Sequence, residues 1–233
     1  MKVSKRIAAA VLCAAMTASL AACDSVGKDT MKEDSQTYIQ GKLDAMYLGK
    51  YNQEYLDLVD MTEEEAEEMY LDWLYQEVDI FCSSYGIEYQ DDELDDEIAD
   101  MFKDIYAKSK YTVHAATKLE SGNYAVEVTV EPVEVLSLIT EEEHSAVDDA
   151  AFESLGKTED DLNAMSQSEY EEWYKAYDRA YAEGMIELVR SHMADLSYQD
   201  AKSFVFQLAQ DTDGYYYLVE GDLQNFDQYI IAY

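Results

Sequence analysis

Three histidines carry the side chain best suited to acid–base and metal chemistry near neutral pH. His114, His144 and His192 lie far apart along the chain, and none has a second histidine at the spacing that metal sites use. The signatures G-x-S-x-G, H-E-x-x-H, the P-loop and C-x-x-C do not occur. The sequence therefore predicts no catalytic residue, no metal and no cofactor, and it favours a protein that is not an enzyme.

Paired carboxylates are the other common catalytic unit, since glycoside hydrolysis needs two carboxyl groups about 5–10 Å apart across a sugar cleft. The chain has 51 Asp and Glu residues, so pairs arise by chance. Glu127 and Glu131 are the first pair to consider, because they share one face of a predicted strand. A solvated strand face is the simpler interpretation. A carboxylate-dependent hydrolase acting on cell-wall or dietary glycans remains an alternative.

Two acidic clusters raise the question of calcium. Asp211, Asp213 and Gly214 fail the EF-hand pattern, in which glycine is the sixth loop residue, and Asp-Gly between alternating strands favours a turn. The second cluster consists of Asp91, Asp92, Asp95 and Asp96. Acidic residues stabilise the first turn of a helix, so this cluster favours a helix start over a weak calcium site.

Consecutive tyrosines are a candidate for binding. Tyr215, Tyr216 and Tyr217 follow one another, so at least one faces away from its neighbours in a strand. An exposed tyrosine on a sheet can stack on a sugar or contact a protein. We take Tyr216 as a candidate ligand-binding residue, together with Glu127 and with His114, which falls on the polar face of its predicted strand.

The overall charge limits what these residues can bind. The formal net charge is −35, and a surface this acidic repels phosphate backbones, which excludes nucleic acid as a partner. The chain is 48% apolar and has 21 tyrosines, which argues against general disorder. A length of 233 residues fits one domain or two.

Residues 1–22 predict a lipoprotein signal peptide. A basic start is followed by an uncharged, Ala-rich stretch that is too short to span a bilayer. The stretch ends in Leu20-Ala21-Ala22-Cys23, which resembles the lipobox of bacterial lipoproteins. The resemblance implies cleavage before Cys23, a thioether from Cys23 to diacylglycerol, and attachment to the extracytoplasmic face of the cell membrane. An ordinary signal peptide with an incidental cysteine is the alternative.

A single cysteine remains in the body of the protein once Cys13 is removed with the signal and Cys23 is lipidated. This is Cys82, so no intramolecular disulfide is expected. Cys82 lies on an apolar helical stripe after Val78 and Phe81, and we predict a buried core residue rather than a reactive thiol.

The order of the predicted elements is tether, helices, hairpin, helices and hairpin. Residues 23–36 are polar and predict a tether, and helical periodicity begins at Tyr38. Capping-box patterns at 62–65 and 140–143 start two further helices, and another long helix opens near Ser168. Apolar and polar residues that alternate with a period of two predict two antiparallel hairpins, each with one solvent-exposed face. The alternating residues are Tyr111, Val113, Ala115 and Leu119; Tyr124, Val126, Val128 and Val130; Phe204, Phe206 and Leu208; and Tyr215, Tyr217 and Val219.

Two hairpins can form one four-stranded antiparallel sheet whose apolar face is covered by helices, so the predicted fold class is α+β. We predict a single domain at 37–233. Because the helix-then-hairpin pattern occurs twice, two tandem units at 37–136 and 137–233 are the alternative.

Several of these features together resemble small secreted lipoproteins of Gram-positive bacteria. They are the lipobox, the helix Tyr38–Leu48 with Gly49-Lys50-Tyr51 after it, the start at Thr62-Glu63-Glu64-Glu65-Ala66, and the terminal Asp213-Gly214-Tyr215-Tyr216 hairpin. The resemblance implies helices packed on a curved antiparallel sheet, as in cystatin-like cones related to the nuclear transport factor two superfamily. The helical insert at 137–196 departs from that pattern.

These patterns favour a lipid-anchored, non-enzymatic module of the cell envelope that binds an unknown protein or glycan through the concave or exposed side of its sheet. The membrane contact is the lipid on Cys23. A structural, envelope-maintenance lipoprotein with no small ligand is a further alternative, beside the glycan hydrolase.

Overall fold

The computed structural model describes residues 30–219 and 226–232, so the predicted signal peptide and Cys23 lie outside the described residues. The helices are α1 (Thr30–Leu48), α2 (Gln53–Val59), α3 (Glu63–Tyr85), α4 (Asp92–Tyr106), α5 (Glu141–Ser154), α6 (Glu159–Ala164) and α7 (Gln167–His192). The strands are β1 (Lys110–Val113), β2 (Thr117–Lys118), β3 (Tyr124–Glu131), β4 (Val133–Glu134), β5 (Ser197–Tyr198), β6 (Lys202–Gln210), β7 (Tyr216–Leu218) and β8 (Ile231–Ala232). None of the described helices is both long and apolar enough to cross a bilayer.

Capping boxes start most of the later helices, as the sequence indicates at Thr62 and Thr140. Each cap side chain accepts a backbone N–H from the third helical residue, whose carboxylate accepts the N–H of the cap residue in return. Thr158 and Ser166 begin α6 and α7 in the same way. The backbone hydrogen bond from Thr62 lowers the pKa of Glu65, so the capping carboxylate stays ionised and stabilises the helix start.

Some elements start earlier than their sequence patterns indicate. The first helix begins at Thr30, inside the predicted tether, because Met31 packs against the core and Ser35 is buried with its hydroxyl donating to the Met31 carbonyl. The last long helix is capped by Ser166 rather than Ser168.

The sheet confirms the predicted α+β class and has five strands rather than four. Its order is β1-β3-β6-β7, and β2 pairs with the other end of β3. All of these pairings are antiparallel. A second sheet, smaller and three-stranded, has the order β5-β4-β8.

The core lies between one face of the larger sheet and the helices. Val126 and Val128 of β3 pair with Phe206 and Phe204 of β6, and they belong to one hydrophobic cluster with side chains from α1, α3, α4 and α7. Cys82 is 3% exposed and burial raises the pKa of its thiol to about 11, which confirms the prediction of a core cysteine. Because β3 lies in the alternative unit 37–136 and β6 in the alternative unit 137–233, we keep the prediction of a single domain.

Within the first hairpin, one alternating residue was predicted on the wrong side. Ala116 is buried and Ala115 is exposed, because the chain leaves the regular ladder between β1 and β2 and shifts the alternation by one residue.

A buried carboxylate ties the last helix to the loop after α3. Asp178 is 1% exposed, and its Oδ2 accepts the backbone N–H groups of Glu88 at 2.9 Å and Tyr89 at 2.7 Å. Next to it, Arg179 binds Asp91 on the start of α4 and Glu183 on its own helix. These contacts fix α7 against α3 and α4, which lie earlier in the chain.

The start of α4 concentrates negative charge around Asp95. Burial raises the pKa of Asp95, and the neighbouring carboxylates of Asp79, Asp91, Asp92 and Asp96 raise it further. Its Oδ1 is buried and lacks a hydrogen-bond partner among the described residues. The ionised form of this side chain is therefore destabilised by folding.

Removal of the Asp178 carboxylate should destabilise the protein. We expect Asp178→Ala to lower the free energy of unfolding by about 2–4 kcal/mol, because two backbone donors lose a charged acceptor. Asp178→Asn removes the same charge but keeps an acceptor oxygen, so its loss should be smaller. Urea denaturation monitored by circular dichroism measures both, and equal stability of the Ala variant and the wild type would contradict this role.

Asp95→Asn should stabilise the protein at pH 7 by about 0.5 kcal/mol, a figure already reduced for solvent screening. Asp72→Asn, at an exposed position of α3, is the control and should stabilise the protein less. The folded pKa of Asp95 lies above its unfolded value. The cost of ionisation therefore exists above the folded pKa and is relieved as the pH falls through it. The difference between the two variants should disappear by about pH 4. Thermal melts across pH measure this, and a pH-independent difference would contradict it.

Candidate binding face

The helices cover one face of the larger sheet and leave the other open. We call the uncovered side the open face, and alternation assigns its residues, since β3 buries every second side chain. Strand register brings outward-pointing residues of neighbouring strands together, with Ala125 opposite Gln207, Glu127 opposite Val205 and Thr129 opposite Ser203. The open face consists of Lys110, Thr112, His114, Ala125, Glu127, Thr129, Glu131, Ser203, Val205, Gln207, Ala209, Tyr217 and Val219.

A polar row crosses three strands of the open face. His114 Nε2 lies 2.9 Å from Thr129 Oγ1, which lies 3.3 Å from Ser203 Oγ. An imidazole beside a hydroxyl is the composition of a nucleophile–base pair. The backbone of Thr129, however, lies in a central strand between β1 and β6, so its N–H is committed to the ladder and does not form an oxyanion hole. The row therefore suits hydrogen bonding to a bound partner better than acyl transfer.

The open face becomes apolar next to this row, from Val205 toward β7. Val205 is 55% exposed, Tyr217 is 49% exposed, and Val219, which lies between their positions opposite Gln207, is also exposed. β-Branched and aromatic residues favour strands whether or not they are buried, but a cluster of them on the solvent side also provides contact area for a partner.

Charge is sparse on the open face compared with the helices. Among the described residues its carboxylates are Glu127 and Glu131, and its ammonium group is Lys110, which pairs in register with Glu131. The Lys110 Nζ also lies 3.4 Å from the ring centroid of Tyr198. By contrast, the first turn of α3 alone contains Glu63, Glu64 and Glu65.

The structure places His114 and Glu127 on this face and puts Tyr216 elsewhere. His114 donates its backbone N–H to the Glu127 carbonyl at 2.8 Å, so the two residues are neighbours on adjacent strands. Tyr216 instead lies on the covered side, where its hydroxyl donates to Asp34 Oδ2 at 3.0 Å. The expectation that Tyr216 is the outward-facing tyrosine is therefore corrected to its neighbour Tyr217.

The β6–β7 turn explains this shift. The turn extends to Tyr215, whose carbonyl accepts the N–H of Asp211 at 3.0 Å, while Asp211 Oδ1 accepts the N–H groups of Asp213 and Tyr215. Strand β7 consequently starts at Tyr216, opposite Gln210. A shift of one residue moves every following side chain to the other face.

The other candidate residues are scattered. His144 contacts the hydroxyl of Tyr181, and His192 lies 3.2 Å from Glu143, so each packs between α5 and α7. Within the part of the chain that the structure describes, no group of three or more His, Cys, Asp or Glu is arranged to hold a metal ion. Asp91 caps α4, and Asp96 accepts a hydrogen bond from Tyr75, so both have structural roles.

Sequence reasoning missed most of the open face. Thr129, Ser203 and Val205 are ordinary strand residues in the sequence, and only the β3–β6 register brings them together. The available signal was Val205, an apolar residue in the polar phase of the alternation of β6.

Comparisons with known proteins identify one fold-level neighbour. The chain is similar in structure to YcdA of Bacillus subtilis, which is described provisionally as a lipoprotein, with a TM-score of 0.55 and 20% sequence identity. The match covers 88% of this chain and 58% of YcdA, so the chain spans less than two thirds of that protein. No protein-family model and no curated protein matches the sequence. The similarity supports the fold and assigns no activity.

Proposed function

We propose that this chain is a lipid-anchored extracytoplasmic protein of the cell envelope, and that it binds a partner protein, without catalysis, through the open face. The observation that carries the proposal is the exposed apolar row of Val205, Val219 and Tyr217 on a charge-poor side of a chain whose net charge is −35. Support for the anchor comes from the lipobox sequence that ends at Cys23 and from the provisional lipoprotein description of YcdA.

The composition of the open face matches what protein interfaces use. Interface cores are depleted of charge and enriched in tyrosine, and their energy concentrates in a few aromatic anchors. Tyr217 is the natural anchor, Val205 adds apolar area, and the row of His114, Thr129 and Ser203 offers hydrogen bonds at the polar end. Glu127 lies between these two regions, opposite Val205, where it can pair with a donor on the partner.

The position of the anchor limits where the partner can be. From Cys23 to Thr30, where α1 begins, a fully extended chain reaches about 24 Å at most. The first turns of α1 also contact the sheet, through Asp34 to Tyr216 and through Gln36 to the Val113 carbonyl. A lipidated protein would therefore hold its sheet close to the membrane, and the partner should be a membrane-proximal envelope component.

The anchor is tested by Cys23→Ala in cells that process lipoproteins. We expect the variant to remain an uncleaved precursor without lipid, since the cysteine is the site of lipidation and of the cleavage before it, whereas Cys13→Ala within the signal segment should be cleaved and lipidated. Mass spectrometry of the N-terminus measures this. An unmodified N-terminus in the wild type, or normal processing of the Cys23 variant, would contradict the anchor.

The open face is tested by photo-cross-linking in intact cells. A photoreactive phenylalanine analogue replaces either Tyr217 or the equally accessible Tyr75 on α3, which are 49% and 40% exposed. We expect a discrete protein adduct from position 217 only, because Tyr75 lies on the helical side of the molecule.

Matched charge variants complete this experiment. Val205→Glu should abolish the adduct from position 217, because it adds a carboxylate to the apolar contact, while Leu71→Glu on α3 should leave it unchanged. Identical adducts from positions 217 and 75, or an adduct that survives Val205→Glu, would refute the open face as the interface.

A further inference from the structure

A second surface lies on the helices α5 and α7. The two helices run antiparallel, since Glu143 lies beside His192 and the ring of Phe152 meets that of Trp173 edge-to-face. They approach closely at Gly184, where an added Cβ would lie 2.7 Å from Cγ1 of Val147. Helix α5 packs mainly on α7, and Ala151 is its one buried residue.

The two sides of this helix pair differ in chemistry. One side is an aromatic seam in which Tyr177 donates to Asp148, Tyr181 contacts His144, and the rings of Trp173 and Tyr177 stack 5.4 Å apart. The other side is an open groove of about 670 Å³. Its floor is formed by Ala146, Val147, Ala150, Ala180, Gly184 and Leu188.

Carboxylates border the groove. Glu143, Glu183 and Glu187 lie along it, and α5 contains six acidic residues and no Lys or Arg. Glu183 also binds Arg179, and Glu143 lies beside His192. In the part of the chain that the structure describes, Glu187 is the rim carboxylate that forms no ion pair. The groove thus combines an apolar floor with negative edges.

We propose that this groove binds a cationic amphipathic helix from another molecule. The apolar side of such a helix would cover the floor, and its Lys and Arg side chains would reach Glu187 and the neighbouring carboxylates, which is the helix-in-groove mode of recognition. Alanine and glycine on the floor allow the helix axes to approach closely. A second copy of this chain is a poor occupant, because each copy carries a formal charge of −35. The groove lies on helices and shares no residue with the open face.

The length of α5 sets the size of the occupant. A helix of 14 residues like α5 is about 21 Å long, so a bound helix of about the same length would fill the groove from end to end. Amphipathic cationic peptides of this kind are mostly unfolded in water and become helical when their apolar face is covered. Helix formation on binding is therefore a direct readout of groove occupancy, which loose electrostatic attraction would not produce.

The probe is a synthetic Leu–Lys amphipathic peptide of about 14 residues, titrated into the purified full chain. Circular dichroism should show the peptide becoming helical, and fluorescence anisotropy should give a saturable affinity. Two controls have the same length: a Leu–Glu amphipathic peptide and a scrambled Leu–Lys sequence. Neither should bind comparably, because the first is repelled and the second lacks an apolar face.

Two variants separate the groove from general charge. Ala150→Lys puts a cation on the groove floor, and Ser145→Lys makes the same change of charge at an exposed position of α5 outside the groove. We expect Ala150→Lys to weaken Leu–Lys binding by about tenfold or more and Ser145→Lys by less than about twofold. Both replaced side chains are exposed, and unchanged circular dichroism of each variant alone confirms that it folds.

A further variant tests the carboxylates at the edge of the groove separately from its apolar floor. Glu187→Gln should weaken the Leu–Lys peptide while leaving its bound form helical. Equal affinity for both lysine variants, equal binding of the scrambled peptide, or binding without helix formation would overturn the proposal and leave only non-specific attraction to an acidic protein.

Discussion

The antiparallel pairing of β3 with β6 is the interaction on which the rest of the structure depends. It aligns residues 124–130 with residues 202–208, so strands that lie on either side of the long helices α5 and α7 in the sequence are bonded to each other. Its register places Val126 and Val128 against Phe206 and Phe204 on the covered face. The same register aligns Thr129 with Ser203 and Glu127 with Val205 on the open face. The core and the candidate interface are therefore the two faces of one strand ladder. A shift of its register by one residue would turn the core side chains toward the solvent and the open-face side chains toward the helices.

Negative charge is the second constraint, and the fold manages it through helix starts. Carboxylates at the first turns interact favourably with the helix dipole and with free backbone N–H groups. The hydrogen bonds that lower the pKa of Glu65 and Glu143 are of this kind. Arg179 is placed among Asp91, Glu93, Glu97 and Glu183. Because so many of the carboxylates lie at the starts of helices, the open face of the sheet can have few charged residues.

Local signals in the sequence predicted local structure well. The capping boxes at Thr62 and Thr140 and the alternation of β3 each depend on residues within a few positions of one another. Tyr216 was assigned to the wrong face of the sheet, because the face on which each β7 residue lies depends on the length of the β6–β7 turn. The polar row through His114 depended on register between strands that lie about 75 residues apart, as Thr129 and Ser203 do. The α5–α7 groove required the packing of two helices, which periodicity does not encode.

The two surfaces differ in how the fold supports them, and this bears on what each can bind. The open face belongs to strands β1, β3, β6 and β7, which are hydrogen-bonded in that order and packed on the main core. It is therefore a preformed surface, and binding a partner there costs little conformational entropy. The groove lies between α5 and α7, which are joined by side-chain contacts from Tyr177 to Asp148 and from Tyr181 to His144 and approach closely at Gly184. A charge-poor sheet face suits one partner with a matching surface, whereas an acidic groove with an apolar floor suits cationic helices that share pattern rather than sequence.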